Sequence, residues 1–328
     1  MTRRPILPPP APPPRSPVTG ARMSLPADPG TAGRGGRAAW PPLAALRRID
    51  AALVAPATAH QLAGVRAGLA VVIALRLATG PYAQLAGQPA ALFRPPDVLA
   101  WLPSMPPFAV LVGLQVLGTV AAIAAATGRR ATATFAVAWG CLLVLAGLRG
   151  SLGKILHNDV LVLLAAVPIM LAPAGARWGD LRASCRWGWP VRAALAVIAA
   201  VYFACAVQKL RHTGVTWVTG DNMRWILYAA ATASRAPTRA VALFIADRAW
   251  LSHLTAAGLL GVELAAPALL AVRRTRPLFV ILAALLHLGT WLTLGLDYWG
   301  WALTVAVVAL PASWWTVAGG STRRLRRK

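Results

Sequence analysis

Charged side chains are scarce in this sequence. Asp, Glu, Lys and Arg together supply 13% of its 328 residues, whereas a soluble domain carries about a quarter. The shortage falls on acids, since nine Asp and Glu face 33 Lys and Arg. So low a charged fraction excludes an ordinary water-soluble domain. The formal charge of +24 does not point to nucleic acid, because the basic residues sit at the ends of apolar runs with no aromatic-rich basic face between them. Cysteine is rare too. Cys141, Cys185 and Cys205 form no CxxC pair, and Cys141 and Cys205 lie inside apolar runs, so they read as small hydrophobes. The histidines (His60, His157, His212, His253 and His287) never fall at HxxH or HxxxH spacing, which leaves no metal motif. GxSxG, P-loop and dinucleotide fingerprints are missing, which argues against nucleotide-driven chemistry. There is no tandem repeat, and no pair of Gly/Pro-broken spans in matching halves to suggest a transporter.

Long apolar runs are what the chain does contain. They fall at about 61–79, 107–127, 131–148, 156–173, 190–208, 251–271, 277–296 and 298–316, each near the ~20 residues a helix needs to cross a bilayer. The expected fold is an all-α, polytopic membrane bundle of about eight transmembrane helices, in contact with the lipid bilayer. The positive-inside rule puts both termini in the cytoplasm. Of the 33 Lys and Arg, 21 then lie inside and nine outside, and the tight basic turns GRR (Gly128–Arg130) and RRTR (Arg273–Arg276) both land inside. Residues 1–42, rich in Pro and Arg, read as a disordered cytoplasmic tail. That tail lacks the pattern of a secretory signal, and Met23 is an alternative start to Met1. The membrane domain is expected over 43–316, opening on an amphipathic stretch at 43–59, and a basic tail over 317–328. Two long outer connectors, 80–106 and 209–250, remain. The second carries amphipathic pieces at Met223–Ala230 and Pro237–Ala246 that suggest short helices at the outer interface.

An ionisable group inside a span costs at least ~2.5–3.5 kcal/mol at the centre, so each one needs a reason. Lys209 ends the fifth span, on one helical face with Cys205 and Tyr202. It reads either as a lysine snorkelling to the outer surface or as a buried amine able to act as a base. His157, Asn158 and Asp159 open the fourth span, where Asn158 or Asp159 can cap the helix and His157 can donate to an oxyanion. Glu263 and His287 sit mid-span with no salt partner evident in the sequence, and Arg76 is a partner for Glu263 by depth alone. Asp297 reads as a solvated cap, and Arg66 as a snorkelling arginine at the inner surface.

Several segments together carry a family resemblance, collinear over roughly residues 50–315. They are HQLAGVRAGLAVVIALR with Arg66, the turn ATGRRATA, LHNDVLVLL, YFACAVQKL followed by TWVTG, and VELAAPALLAVRRTRP followed by LLHLGTWLTLGLDYWGWAL. In order and spacing the chain resembles the HTTM (horizontally transferred transmembrane) domain family, related to the membrane domain of vitamin K-dependent gamma-glutamyl carboxylase. The resemblance implies a bacterial plasma-membrane protein with its site at the outer half of the bilayer. It implies a reduced quinone as cofactor and carboxylase-like or peptide-modifying chemistry on a secreted peptide. By position Lys209 matches the family's base and His157 its anion-stabilising histidine. Arg66, Tyr202, Trp217, Glu263 and His287 fall in the family's other signature segments, as substrate- or cofactor-binding positions. The chain departs from the carboxylase in a longer Lys209–Trp217 interval, in Thr216 where an acidic residue is usual, and in ending after the eighth span without a large lumenal domain. The alternative is a non-catalytic membrane partner or maturation factor for a secreted peptide or protein.

Overall fold

The computed structural model describes residues 54–152 and 157–310, so the proline-rich tail, most of the 43–59 stretch and the basic C-terminal tail lie outside the described residues. Among the described residues the chain is all-α apart from one two-residue strand pair. Its helices are α1 (Ala59–Thr79), α2 (Phe108–Ala126), α3 (Ala131–Gly150), α4 (Val160–Met170), α5 (Cys185–Thr213), α6 (Thr216–Thr219), α7 (Asn222–Thr232), α8 (Arg239–Ala246), α9 (Ala249–Ala271), α10 (Arg276–Leu294) and α11 (Trp299–Ala309). Six of them, α1, α2, α3, α5, α9 and α10, are long and apolar enough to cross a membrane, and two shorter apolar helices cover His157–Met170 and Trp299–Ala309. The protein is a multi-pass integral membrane protein.

Its surface chemistry agrees. On α10 the side chains of Leu278, Ile281, Leu285, Leu288 and Trp291 form an outward stripe, and Leu285 is 60% exposed. On α2, Phe108, Val116, Leu117, Val120 and Ile123 do the same. A helix apolar on its outer as well as its inner face is stable only where the solvent is itself apolar.

The starts of α1 and α5 are tied side by side. Strand β1 (Ala57–Thr58) pairs antiparallel with β2 (Ala183–Ser184). Each strand ends on a hydroxyl that caps the helix after it. Thr58 accepts from the Gln61 amide at 3.1 Å, and Ser184 from the Arg186 amide at 3.4 Å, each satisfying one unpaired amide of a helix start. The His60 amide adds a bond to the Asp180 carbonyl at 3.0 Å. α11 lies against α1. A β-carbon at Gly300 would come 3.1 Å from Arg76 Cδ, and one at Gly68 would come 2.6 Å from Val307 Cγ1, so the two helices run antiparallel.

Gly118 of α2 is a point of close packing in the α1–α2–α3 layer. A β-carbon there would lie 2.7 Å from both Cys141 Cβ and Leu77 Cδ1. Cys141 Cβ is fixed to its own backbone and cannot swing away, so Gly118→Ala is expected to force the helices apart at a cost of about 1–3 kcal/mol. Gly140→Ala, on the same layer but facing open space, is expected to be neutral or stabilising by up to about 1 kcal/mol. Thermal melting of the detergent-solubilised variants reads both signs.

The two long connectors are folded. Residues 80–106 hold three short 3-10 turns, Tyr82–Gly87, Ala90–Leu92 and Asp97–Leu99. The other connector supplies α7 and α8 close to where amphipathic pieces are expected. They share a second apolar cluster, built from Met223, Leu227, Ala231, Ala242 and Ala246, with Ala256 of α9. α5 is longer than its apolar run, at 29 residues, because its polar ends, Cys185 to Trp189 and Lys209 to Thr213, keep helical geometry beyond it.

Candidate functional site

α5 carries Tyr202, Cys205 and Lys209 on one face, and α9 packs along it. Lys209 Nζ donates to both carboxylate oxygens of Glu263, at 2.5 and 2.7 Å. The Glu263 side chain is 9% exposed and that of Lys209 22%. This is the partner Glu263 lacked in the sequence, and it replaces the Arg76 pairing expected from depth. It also replaces the snorkelling reading of Lys209, because the amine turns inward to a carboxylate rather than outward to water. The Trp217 ring of α6 stands 5.6 Å from Nζ, within reach of a cation–π attraction. Its own Nε1 is buried without a hydrogen-bond partner.

Two turns deeper along α5, Tyr202 Oη lies 2.7 Å from His287 Nε2 on α10. Both residues sit in an aromatic box, with Phe279, Tyr298 and Trp301 at centroid distances of 5.2 to 5.7 Å from one or the other. If the phenol donates, the imidazole proton sits on Nδ1, which is buried and has no partner. Beside His287 opens a cleft of about 440 Å³ whose walls include Leu288, Trp291, Trp299 and Ala302 and whose polar residues are His287 and Asp297. Asp297 Oδ1 is a second buried polar atom without a partner.

Arg76 is the hub of a third group. Its Nε donates to Asp159 Oδ1 at 2.6 Å, and one terminal nitrogen to Asp297 Oδ2 at 2.9 Å. Its guanidinium lies 4.9 Å from the Trp299 ring. Tyr82 donates to the other oxygen of Asp159 at 3.2 Å, and the Asn158 amide to the Asp297 carbonyl at 2.6 Å. Here three expectations change. Asp159 precedes α4 but makes no side-chain cap, because Arg76 takes its carboxylate. Asn158 reaches across to the α10–α11 connector instead of capping its own helix. Asp297 is an ion-pair partner, not a free cap.

The structure therefore brings Lys209, Glu263 and Trp217 into one contact group, and Tyr202 and His287 into another on the same face of α5. His157 joins neither. Its side chain is exposed, and its backbone carbonyl accepts from Trp301 Nε1 at 2.9 Å. Of the histidines the buried one is His287. Arg66 belongs elsewhere. It lies ten residues before Arg76 on α1, about 15 Å along the axis, and is 2% exposed, so it does not snorkel. Sequence reading did not single out Tyr82, Tyr298, Trp299 or Trp301, although the aromatic density of DYWGW was a visible signal. Outside the spans, the Asp247 carboxylate accepts from Tyr228 at 2.6 Å and raises that phenol above its ordinary value, while Arg182 holds the Asp180 carboxyl below its own. No group of three metal-ligating side chains occurs among the described residues.

The chain matches no family model, no curated protein and no solved structure.

Proposed function

We propose that this protein is a membrane enzyme of the HTTM, gamma-carboxylase-like type, moving protons in the outer half of the bilayer on a quinol-like or peptide substrate. The observation that carries the reading is the Lys209–Glu263 pair, held among apolar helices with an indole against it. Such a pair is neutral as a unit, either as ammonium and carboxylate or as amine and acid. Low polarity narrows the gap between these forms, and in the second form Lys209 is a base. A reduced quinone fits the neighbouring cleft. The aromatic walls suit a flat ring, and His287 and Asp297 are the polar residues lining the cleft. When bound, that cofactor would supply reducing equivalents and an oxidisable ring. The chain's own residues would hold the ring against Trp291 and Trp299, set the His287 tautomer through Tyr202, and take a proton at Lys209 Nζ.

The topology we propose with it has eight crossings and both termini in the cytoplasm of a bacterial plasma membrane. The tied starts of α1 and α5 support it, since an even number of crossings between them requires the short α4 to cross as well. His157 remains the anion stabiliser by resemblance, and it would act on a substrate reaching it from the exposed side.

Membranes holding the protein, given a reduced naphthoquinone and oxygen, are expected to consume the quinol. Lys209→Ala is expected to abolish this while the protein still inserts. Full consumption by Lys209→Ala ends the reading of Lys209 as the base. A second reading is favoured by the two-oxygen grip of Lys209 on Glu263, which is also how a structural staple between α5 and α9 would look. On that reading the protein is a non-catalytic partner in maturing a secreted peptide, and no substitution at Lys209 changes any turnover.

A further inference from the structure

Arg66 is the one buried cation on α1 that the outer site leaves unexplained. It is 2% exposed, and its Nε and one terminal nitrogen have no hydrogen-bond partner. An unpaired guanidinium in an apolar bundle is costly, so a group that neutralises it is required. Arg66 lines a cavity of about 210 Å³ at the basic-turn end of the bundle, together with Gly128, Ala131, Arg177 and Trp178. Ala131 is the first residue of α3, a helix of 20 residues with no acid in its first turn. A buried, unpaired guanidinium, a second arginine and the positive end of a long helix thus line one small space, a combination that selects an anion.

A second cavity shows which anion. An apolar groove, also about 210 Å³, runs beside α1 along Gly64, Gly68 and Val71, against Val307 and Leu310 of the chain that follows α10. Trp178 lines both spaces, so the charged cavity and the apolar groove adjoin at that residue. Gly64, Ala67 and Gly68 give the groove a floor of small residues on α1. A charged head joined to an apolar slot is the shape of a lipid. We propose that Arg66 and Arg177 bind the phosphate of an anionic phospholipid in the leaflet at the basic-turn end, with part of an acyl chain in the Gly64–Gly68 groove. This does not depend on the proposed catalytic reading, because it concerns the opposite end of the bundle.

The test is thermal melting and native mass spectrometry of the full chain in detergent, with phosphatidylglycerol, phosphatidylcholine or inorganic phosphate added. Phosphatidylglycerol is expected to raise the melting temperature and to be retained, whereas phosphatidylcholine is not. Arg66→Met is expected to weaken phosphatidylglycerol retention at least ten-fold while melting no lower than the unaltered protein without lipid, because it removes an unpaired buried charge. Arg177→Gln, at an exposed position, carries the same test if Arg66→Met fails to fold. Arg274→Gln, an equal change of charge on the neighbouring basic turn, is expected to keep the lipid. Equal responses to the two lipids, or full retention by both cavity variants, overturn the proposal. So does a loss of retention in Arg274→Gln as large as in Arg177→Gln. A shift reproduced by inorganic phosphate alone assigns the site to a soluble anion and overturns the lipid reading.

Discussion

Asp159→Ala is expected to destabilise the protein by about 3–5 kcal/mol, the cost of leaving one member of a buried ion pair alone. Arg76 is 1% exposed, and Asp159 is its closest anion. The Asp159 side chain is 4% exposed while that of Asp297 is 41%, so water can compensate the loss of Asp297 but not of Asp159. Asp297→Ala is therefore expected to cost much less, within the ~0–1 kcal/mol of exposed pairs plus any loss of its order around the cleft. Tyr82→Phe removes one bond to Asp159 and is expected to cost about 1 kcal/mol. Replacing both charges, with Arg76→Leu and Asp159→Leu together, is expected to recover most of the loss from Asp159→Ala, because apolar substitutes for a buried pair are often neutral. Denaturant titration of the solubilised variants gives the order. Equal costs for Asp159→Ala and Asp297→Ala would show that Arg76 shares its charge evenly between them, and that the geometry does not rank its partners.

The expected spans for α2, α3, α9 and α10 match the helices to within two residues at each end because the signal is local. A run of apolar side chains has nowhere to go but into lipid, and its length is set by bilayer thickness. What failed were the partners. Glu263 was matched with Arg76 because both lie at a depth where charge is costly, but depth is one coordinate of three. Rotation about each helix axis and the neighbour it faces are fixed by packing, and Gly300 making room for Arg76 beside α11 is invisible until that neighbour is known. Lys209 looked like a helix end because the apolar run stops there. The helix itself continues to Thr213, which keeps the amine beside α9. Asp159 looked like a cap because caps are local and ion pairs are not; its partner is 83 residues away. The shared face of Tyr202, Cys205 and Lys209 was legible, since helical periodicity alone decides it.

The Lys209–Glu263 pair separates chemistry from architecture when stability and turnover are measured on the same four proteins. Lys209→Met alone leaves a carboxylate that is 9% exposed without its counter-charge. Glu263→Leu alone leaves the amine facing an apolar wall. Each is expected to cost about 3–5 kcal/mol, less whatever Glu263 recovers by protonating, or Lys209 by turning to water through its 22% exposed side chain. The double variant removes both charges and keeps comparable volume, so its stability is expected to return to within about 1–2 kcal/mol of the unaltered protein, a coupling of several kcal/mol across the cycle. Turnover is expected to behave otherwise. If Lys209 accepts a proton, the double variant is as dead as the singles, since a methionine thioether cannot replace an amine. A stable, inactive double variant can arise only if the pair has a task beyond joining α5 to α9. A stable double variant that still consumes quinol would leave the pair as a staple and move the proton-accepting role to another group, for which His287, a cleft residue hydrogen-bonded to Tyr202, is the next candidate.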